Sequence, residues 1–127
     1  MNLTLSVLPE TLAVCRLHPD AEIPPWAVGE NLLVLVRTRD EFSVVCPQIH
    51  VPVDIHTEGG WRALKVHGPL DFSLVGVLAQ IAGVLAEIGV SIFAISTYDT
   101  DYILVKDHQL ETAKKALTQA GNYLLAR

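Results

Sequence analysis

Between Ser73 and Gly89 the chain reads SLVGVLAQIAGVLAEIG, and Leu74, Val77, Leu78, Ile81, Val84, Leu85 and Ile88 recur there at the spacing of one helical face. Ser73 suits the N-cap of that helix and Gly89 the residue just past its end. Gly76, Ala79, Gly83 and Ala86 leave the other side nearly bare, so a second backbone can approach closely. The neighbouring segments say what the helix packs on. Trp61–Gly68 alternates like a strand, and SIFAISTYDTDYILVK (Ser91–Lys106) is two strand-like runs about a polar turn. DHQLETAKKALTQAG repeats Leu110, Ala113, Leu117 and Ala120 as a second amphipathic helix ended by Gly121, and NYLLA supplies a last short strand. Strand, helix, strand, strand, helix, strand is the ferredoxin-like split unit, an α+β fold with both helices on one face of an antiparallel sheet.

The first half reads as a worn copy of that unit. NLLVLVRTRDEFSVVC (Asn31–Cys46) matches the later hairpin when Thr38 is set on Thr97, Arg39 on Tyr98 and Asp40 on Asp99, with one extra residue in the later turn. Upstream, LTLSVL (Leu3–Leu8) and TLAVCRL (Thr11–Leu17) read as two strands linked tightly at Pro9 and Glu10. HPDAEIPPWAVGE, with three prolines, permits no more than a helical turn around Trp26–Val28. The fifth and sixth elements of this copy are missing, and Leu3–Leu8, hairpinned onto Thr11–Leu17, is expected to take the vacant sixth-strand place. Prolines and a glycine pair break the pattern from Pro47 to Gly60, which sets the expected boundary between a degenerate unit, 1–57, and a complete one, 58–127.

Several function classes drop out. The 127 residues carry a formal charge of −5 with no basic block, which argues against nucleic acid. Leu74–Ile95 is long enough to cross a bilayer and bears only Glu87 as a charge, but Gln80 and Glu87 share one helical face and Gly89 precedes β-branched residues. A buried helix followed by a buried strand is the expectation, with no membrane partner. MNLTLSVLPE lacks the features of a secretory signal, so a cytoplasmic protein is expected, with Cys15 and Cys46 as unpaired buried thiols. No nucleophile elbow, glycine-rich phosphate loop or paired helical carboxylates occur, and no catalytic residue or cofactor is expected. His50, Asp54 and His56 in HVPVDIH are the densest ligand-like group; a proline-broken loop and the want of a fourth ligand set them aside as a metal site.

The turn HGPLDFS, with Gly68, Leu70, Asp71, Phe72 and Ser73, leads into the long helix, whose free N–H groups and dipole suit a carboxylate. Gly68, Ser73 and Gly76, with Val77 just after, leave room for a ligand at backbone. Across from it the second hairpin offers Ser96, Thr97, Asp99 and Asp101, hydroxyls and carboxylates suited to an ammonium group. A carboxylate-binding end facing an ammonium-binding end is the pattern of an amino-acid site. The plain alternative is that Ser73 only caps a helix and the aspartates only shape a turn.

GPLDFSLVGVLAQIAGVLAEIGVSIFAISTYDTDYILV (Gly68–Val105) resembles the second unit of small bacterial proteins built from paired ACT domains, and the amino-acid-binding units of the animal cytosolic arginine sensors. ETLAVCRL and VRTRDEFSVVCP are similar to the degenerate first unit of the bacterial group. The resemblance implies a non-enzymatic regulatory module that holds a small ligand, usually an amino acid, where two units or two subunits of a homodimer meet. It implies ligand contacts from Gly76, Val77, Ser96 and Asp101. Leu74 stands where the sensors have an acidic residue, which leans toward a smaller or less basic ligand than arginine. An assembly module with its cleft closed by side chains is the rival reading.

Overall fold

The computed structural model describes residues 2–68 and 76–125. The elements in chain order are β1 (Thr4–Leu17), β2 (Val34–Arg37), β3 (Phe42–Pro47), β4 (His56–Val66), α1 (Val77–Glu87), β5 (Ile92–Ser96), β6 (Asp101–Lys106), α2 (Leu110–Gln119) and β7 (Tyr123–Leu124). Short 3-10 turns follow β3 (Gln48–His50) and β6 (Asp107–Gln109). The fold is α+β with ferredoxin-like ordering, as the periodicities require. Two compact units emerge, one of Met1–Pro9 with Arg62–Arg127 and one of Glu10–Trp61.

In the unit that contains Arg62–Arg127, α1 and α2 pack on one face of the sheet. Val77, Ile81 and Leu85 of α1 and Leu110, Ala113 and Leu117 of α2 are buried, in one cluster with Leu64, Val66, Ile103 and Val105 from the strands. Ile88 and Ala120, read as part of the buried faces, are exposed instead, because each stands where its helix is already ending. Both ends use glycine as expected. Gly89 (φ 75°) donates to Ala86 O and Val90 to Leu85 O, while Gly121 (φ 99°) donates to Thr118 O and Asn122 to Leu117 O. That is the Schellman pattern twice, with the left-handed residue one that needs no Cβ. The expected N-cap Ser73 and its neighbour Leu74 lie outside the described residues.

Three expectations about strands are corrected. Leu3–Leu8 and Thr11–Leu17 are not a hairpin but one 14-residue strand, β1, because Pro9 is tolerated on an extended path and its exposed ring faces no core. β4 starts at His56 rather than Trp61: Gly60, at φ 76°, bends the chain without ending the strand. Third, the vacant sixth-strand place of the Glu10–Trp61 unit is filled by the first half of β4. The order there is β2-β3-β1-β4, the ferredoxin-like order, and Thr57 Oγ1 lies 3.7 Å from Cys15 Sγ. In the other unit the order is β5-β6-β4-β1, with β7 on the far side of β1, pairing Thr4 with Tyr123 and Leu5 with Leu124 in parallel. The start of β1 therefore stands between β4 and β7. Asn122 pins it: Leu3 N donates to Asn122 Oδ1 at 3.0 Å, and Asn122 Nδ2 donates to Leu117 O at 3.0 Å.

The Glu10–Trp61 unit has no α-helix. Its core is Ala13, Cys15, Ala27, Phe42, Val44 and Cys46, covered by Trp26, Ala21 and the residues around Val51 and Ile55. Ala27 N donates to Pro24 O at 3.0 Å, so the proline-rich segment makes a turn and no more, as expected.

Cys15 and Cys46 are free and buried. Burial raises the pKa of both; Cys46 is pushed up to about 11, by burial first and by Cys15 second. The fold thus favours the protonated thiol, so its contribution is complete below the ordinary thiol value of 9.0 and is lost as pH climbs toward 11. At ~1.4 kcal/mol per unit, urea titrations should show stability falling by about 2–3 kcal/mol over that span on account of Cys46. Cys46→Ala should flatten the slope; an unchanged slope would refute the assignment.

Candidate functional site

The two hairpins share one register, and it corrects the sequence alignment. Arg37 pairs with Phe42 across the first turn and Ser96 with Asp101 across the second, so both turns hold four residues and no residue is inserted. The offset is 59 throughout (96 − 37, 101 − 42), and it carries on into the 3-10 turns at Gln48 and Asp107. The turns share their hydrogen bonds. Thr38 N donates to Glu41 O at 2.9 Å and Thr97 N to Thr100 O at 2.8 Å, and each threonine Oγ1 also bonds both the N–H and the C=O of the residue three on. A threonine opening a four-residue turn is a local device for satisfying backbone groups that the ladder cannot reach. The sequence suggested Asp40 and Asp99 as equivalent, which holds; the equivalent of Asp101 is Phe42.

That equivalence separates the two copies chemically. In the first, Phe42 is 2% exposed with the Arg37 guanidinium 4.1 Å from its ring centroid, and Arg37 donates to the carbonyls of Pro19 and Ala21. Side chains fill the space between hairpin and preceding loop. In the second, Ser96 and Asp101 occupy the same two positions, and Ser96 Oγ donates to Asp101 Oδ1 at 2.6 Å.

Strand alternation sorts the expected site residues onto two faces. Ile103 and Val105 point to the helices, so Asp101 and its partner Ser96 do as well. Thr100 Oγ1 donates to Val66 O at 2.6 Å, which holds this hairpin against the end of β4 from which the chain leaves for α1. Gly76 (φ 86°) and buried Val77 begin α1, whose first turn has no side-chain cap and no acidic residue among the described residues. Ser96, Asp101, Gly76 and Val77 thus share the helix-covered face. Gly68, Thr97 and Asp99 gather elsewhere, around a cleft of about 230 Å3 with Lys65, Thr100 and Tyr102. Lys65 and Tyr102 alternate out of phase with Val66 and Ile103, so this cleft lies on the sheet's other face. Sequence reasoning missed Lys65 and Tyr102; the alternation that placed Val66 and Ile103 in the core was the available signal. Leu70, Asp71, Phe72 and Ser73 lie outside the described residues.

Among the described residues no three His, Cys, Asp or Glu side chains converge as metal ligands, and no helix is long and apolar enough to cross a membrane.

The chain belongs to the ACT-domain family, whose model matches residues 56–119. A second family model, described as an N-terminal domain, matches residues 10–54. A protein from Agobacterium tumefaciens of known crystal structure is 33% identical, with a TM-score of 0.94 over 100% of this chain and 95% of that one. The ligand-free regulatory subunit of aspartate kinase from Thermus thermophilus has the same fold, at 15% identity and a TM-score of 0.60 over 91% of this chain and 95% of that one. The cytosolic arginine sensor for mTORC1 subunit 1 of Rattus norvegicus is 43% identical over 51 residues, 39% of this chain and only 15% of that protein's length.

Proposed function

We propose that this chain is a non-enzymatic regulatory module that binds a small amino acid between the start of α1 and the β5–β6 hairpin. The observation that carries the reading is the Ser96–Asp101 pair, 2.6 Å apart on the helix-covered face. It lies at the end of the sheet from which the chain leaves for α1, whose first turn has no side-chain cap among the described residues. Asp101 offers charge to an ammonium group, and the N–H groups at Gly76 and Val77 offer donors to a carboxylate. Membership of the ACT-domain family and the arginine-sensing relative support it. We read Glu10–Trp61 as the paired, closed copy, supported by the constant offset between the hairpins, and the working form as a homodimer in the cytoplasm whose subunits complete each other's sites. Gly68, Thr97 and Asp99 line the cleft on the sheet's other face and are left out of this site, while Leu70, Asp71, Phe72 and Ser73 stay in it as contacts read from the sequence alone.

A thermal-shift screen of the common amino acids tests this. A ligand present at about 100 times its Kd raises stability by about 2.7 kcal/mol, an easily read shift. At least one small amino acid should produce it at millimolar concentration; a flat screen would sink the proposal. The rival assembly reading has one observation in its favour, the apolar edge strand β2, where Leu35 and Val36 are exposed. Light scattering that finds a stable dimer indifferent to every amino acid would favour it.

A further inference from the structure

Among the described residues β2 is an edge strand, paired with β3 alone. Thr38 N donates to Glu41 O, so the hydrogen-bonded pairs of that ladder alternate back from the turn as Val36 with Ser43 and Val34 with Val45. Leu35 and Arg37 lie out of phase with them and turn their N–H and C=O groups away from β3, and Leu33 continues the same phase. The side chains leave that edge open as well. Leu33, Leu35 and Val36 are 39%, 38% and 49% exposed, whereas the equivalent strand β5 exposes only Ala94 and Ser96. Soluble proteins blunt such an edge with a charge, a proline or a bulge. The one charge in β2, Arg37, is drawn off over the Phe42 ring and onto the carbonyls of Pro19 and Ala21, and so blunts nothing.

We propose that this edge docks a second copy of the chain, β2 against β2 and antiparallel, centred on Leu35. In that register Leu33 faces Arg37, Leu35 faces Leu35 and Arg37 faces Leu33, so three hydrogen-bonded pairs use every outward group from Leu33 to Arg37. A shift of two residues either way loses one of the three pairs, and a shift of one sets outward groups against groups already bonded to β3. Val36 of each copy covers Val34 of the other, and the two Leu35 side chains meet. Charge fits the same register. The two Arg37 residues fall four positions apart, about 14 Å, beyond the screening length at physiological salt. Exposed Arg39 at each turn comes beside exposed Glu30 of the other copy. So short an edge buries less than the ~1,200 Å2 of the smallest standard interfaces, which predicts a weak dimer. A strand from an unrelated protein would gain the backbone bonds but neither the Leu35 pair nor the contact of Arg39 with Glu30. The inference concerns the Glu10–Trp61 unit and does not rest on a ligand at Ser96 and Asp101.

Sedimentation of the full chain between about 10 μM and ~1 mM tests this. The mass should rise from one chain toward two, with a dissociation constant inside that range. Val36→Lys puts a charge on the edge at an exposed position, and it should weaken self-association by about 10-fold or more at an unchanged urea midpoint. A mixture of isotope-labelled and unlabelled wild-type chains reads the register without any variant. There Val34 Hα should show a cross-chain contact to Val36 Hα, the close spacing of a non-hydrogen-bonded antiparallel pair. A chain still monomeric at the top of the range would overturn the proposal. So would a dimer that Val36→Lys leaves equally tight, or one without the contact of Val34 with Val36, since either puts the interface on another surface. A β2 dimer formed by a chain that no amino acid stabilises would bear this inference out and sink only the reading of Ser96 and Asp101.

Discussion

Phe42→Ala should cost about 3–5 kcal/mol of stability, the range for truncating a fully buried phenylalanine. Phe42 is 2% exposed and heads the row Phe42, Val44, Cys46 that lies against Ala13, Cys15 and Ala27. Phe42 is the largest fully buried side chain of that core, and no helix covers it that could slide inward to repair the loss. The Arg37 guanidinium over the ring adds a further ~0.5–1 kcal/mol that alanine also forfeits. Urea denaturation should therefore show a much lower midpoint at an unchanged m-value, and Phe42→Leu, which keeps most of the volume, should lose less than about 1.5 kcal/mol. A loss under ~1 kcal/mol for alanine would mean that Phe42 does not fill the first copy, and the contrast between the two hairpins would fail with it.

The elements set by a strong period were legible in the sequence. α1, α2 and both hairpins follow from apolar spacing, and the helix ends from Gly89 and Gly121, whose left-handed backbone is a local requirement that the residue type announces. What escaped was set by pairing partners distant in sequence. Pro9 looked like a break because proline lacks a ladder donor, yet at an exposed position in β1 the chain runs on through it to Leu17. Gly59 and Gly60 looked like part of a broken stretch, yet β4 runs from His56 through them to Val66. The turn lengths were misjudged for a related reason: one extra residue in the later turn sets Asp101 on Glu41, acid on acid, and so hides a Phe-to-Asp exchange. Only the ladder, with Arg37 opposite Phe42 and Ser96 opposite Asp101, decides the register. For the candidate site, Ser96 and Asp101 were named by type and neighbourhood, while Lys65 and Tyr102 needed the sheet's alternation to be followed on its second face.

Asp101→Ala should abolish amino-acid binding, by about 100-fold or more, while changing stability by less than ~1 kcal/mol. The first magnitude follows from removing the charge opposite an ammonium group, since a charge-assisted bond is worth about 1.5–3 kcal/mol and leaves the ligand's charge uncompensated when lost. The second follows from position: Asp101 is half-buried at the mouth of the hairpin, it accepts from the exposed Ser96 hydroxyl, and the turn itself is held by Thr97 and by Thr100 to Val66. Asp101→Asn keeps an acceptor for Ser96 without the charge, so it should retain the fold and still lose most of the affinity. Calorimetry with whichever amino acid stabilises the wild-type chain, set beside urea midpoints, reads both quantities. An Asp101→Ala chain that binds as well as wild type would remove Asp101 from the site. One that unfolds by several kcal/mol would make it a structural residue like its counterpart. Phe42 and Asp101 occupy the same position of two hairpins of one register, 59 residues apart, so backbone and turn are alike while that side chain differs. If the two substitutions trade effects as expected, with large stability loss at one and large affinity loss at the other, the exchange of an aromatic for a carboxylate at this position distinguishes a closed copy from an open one.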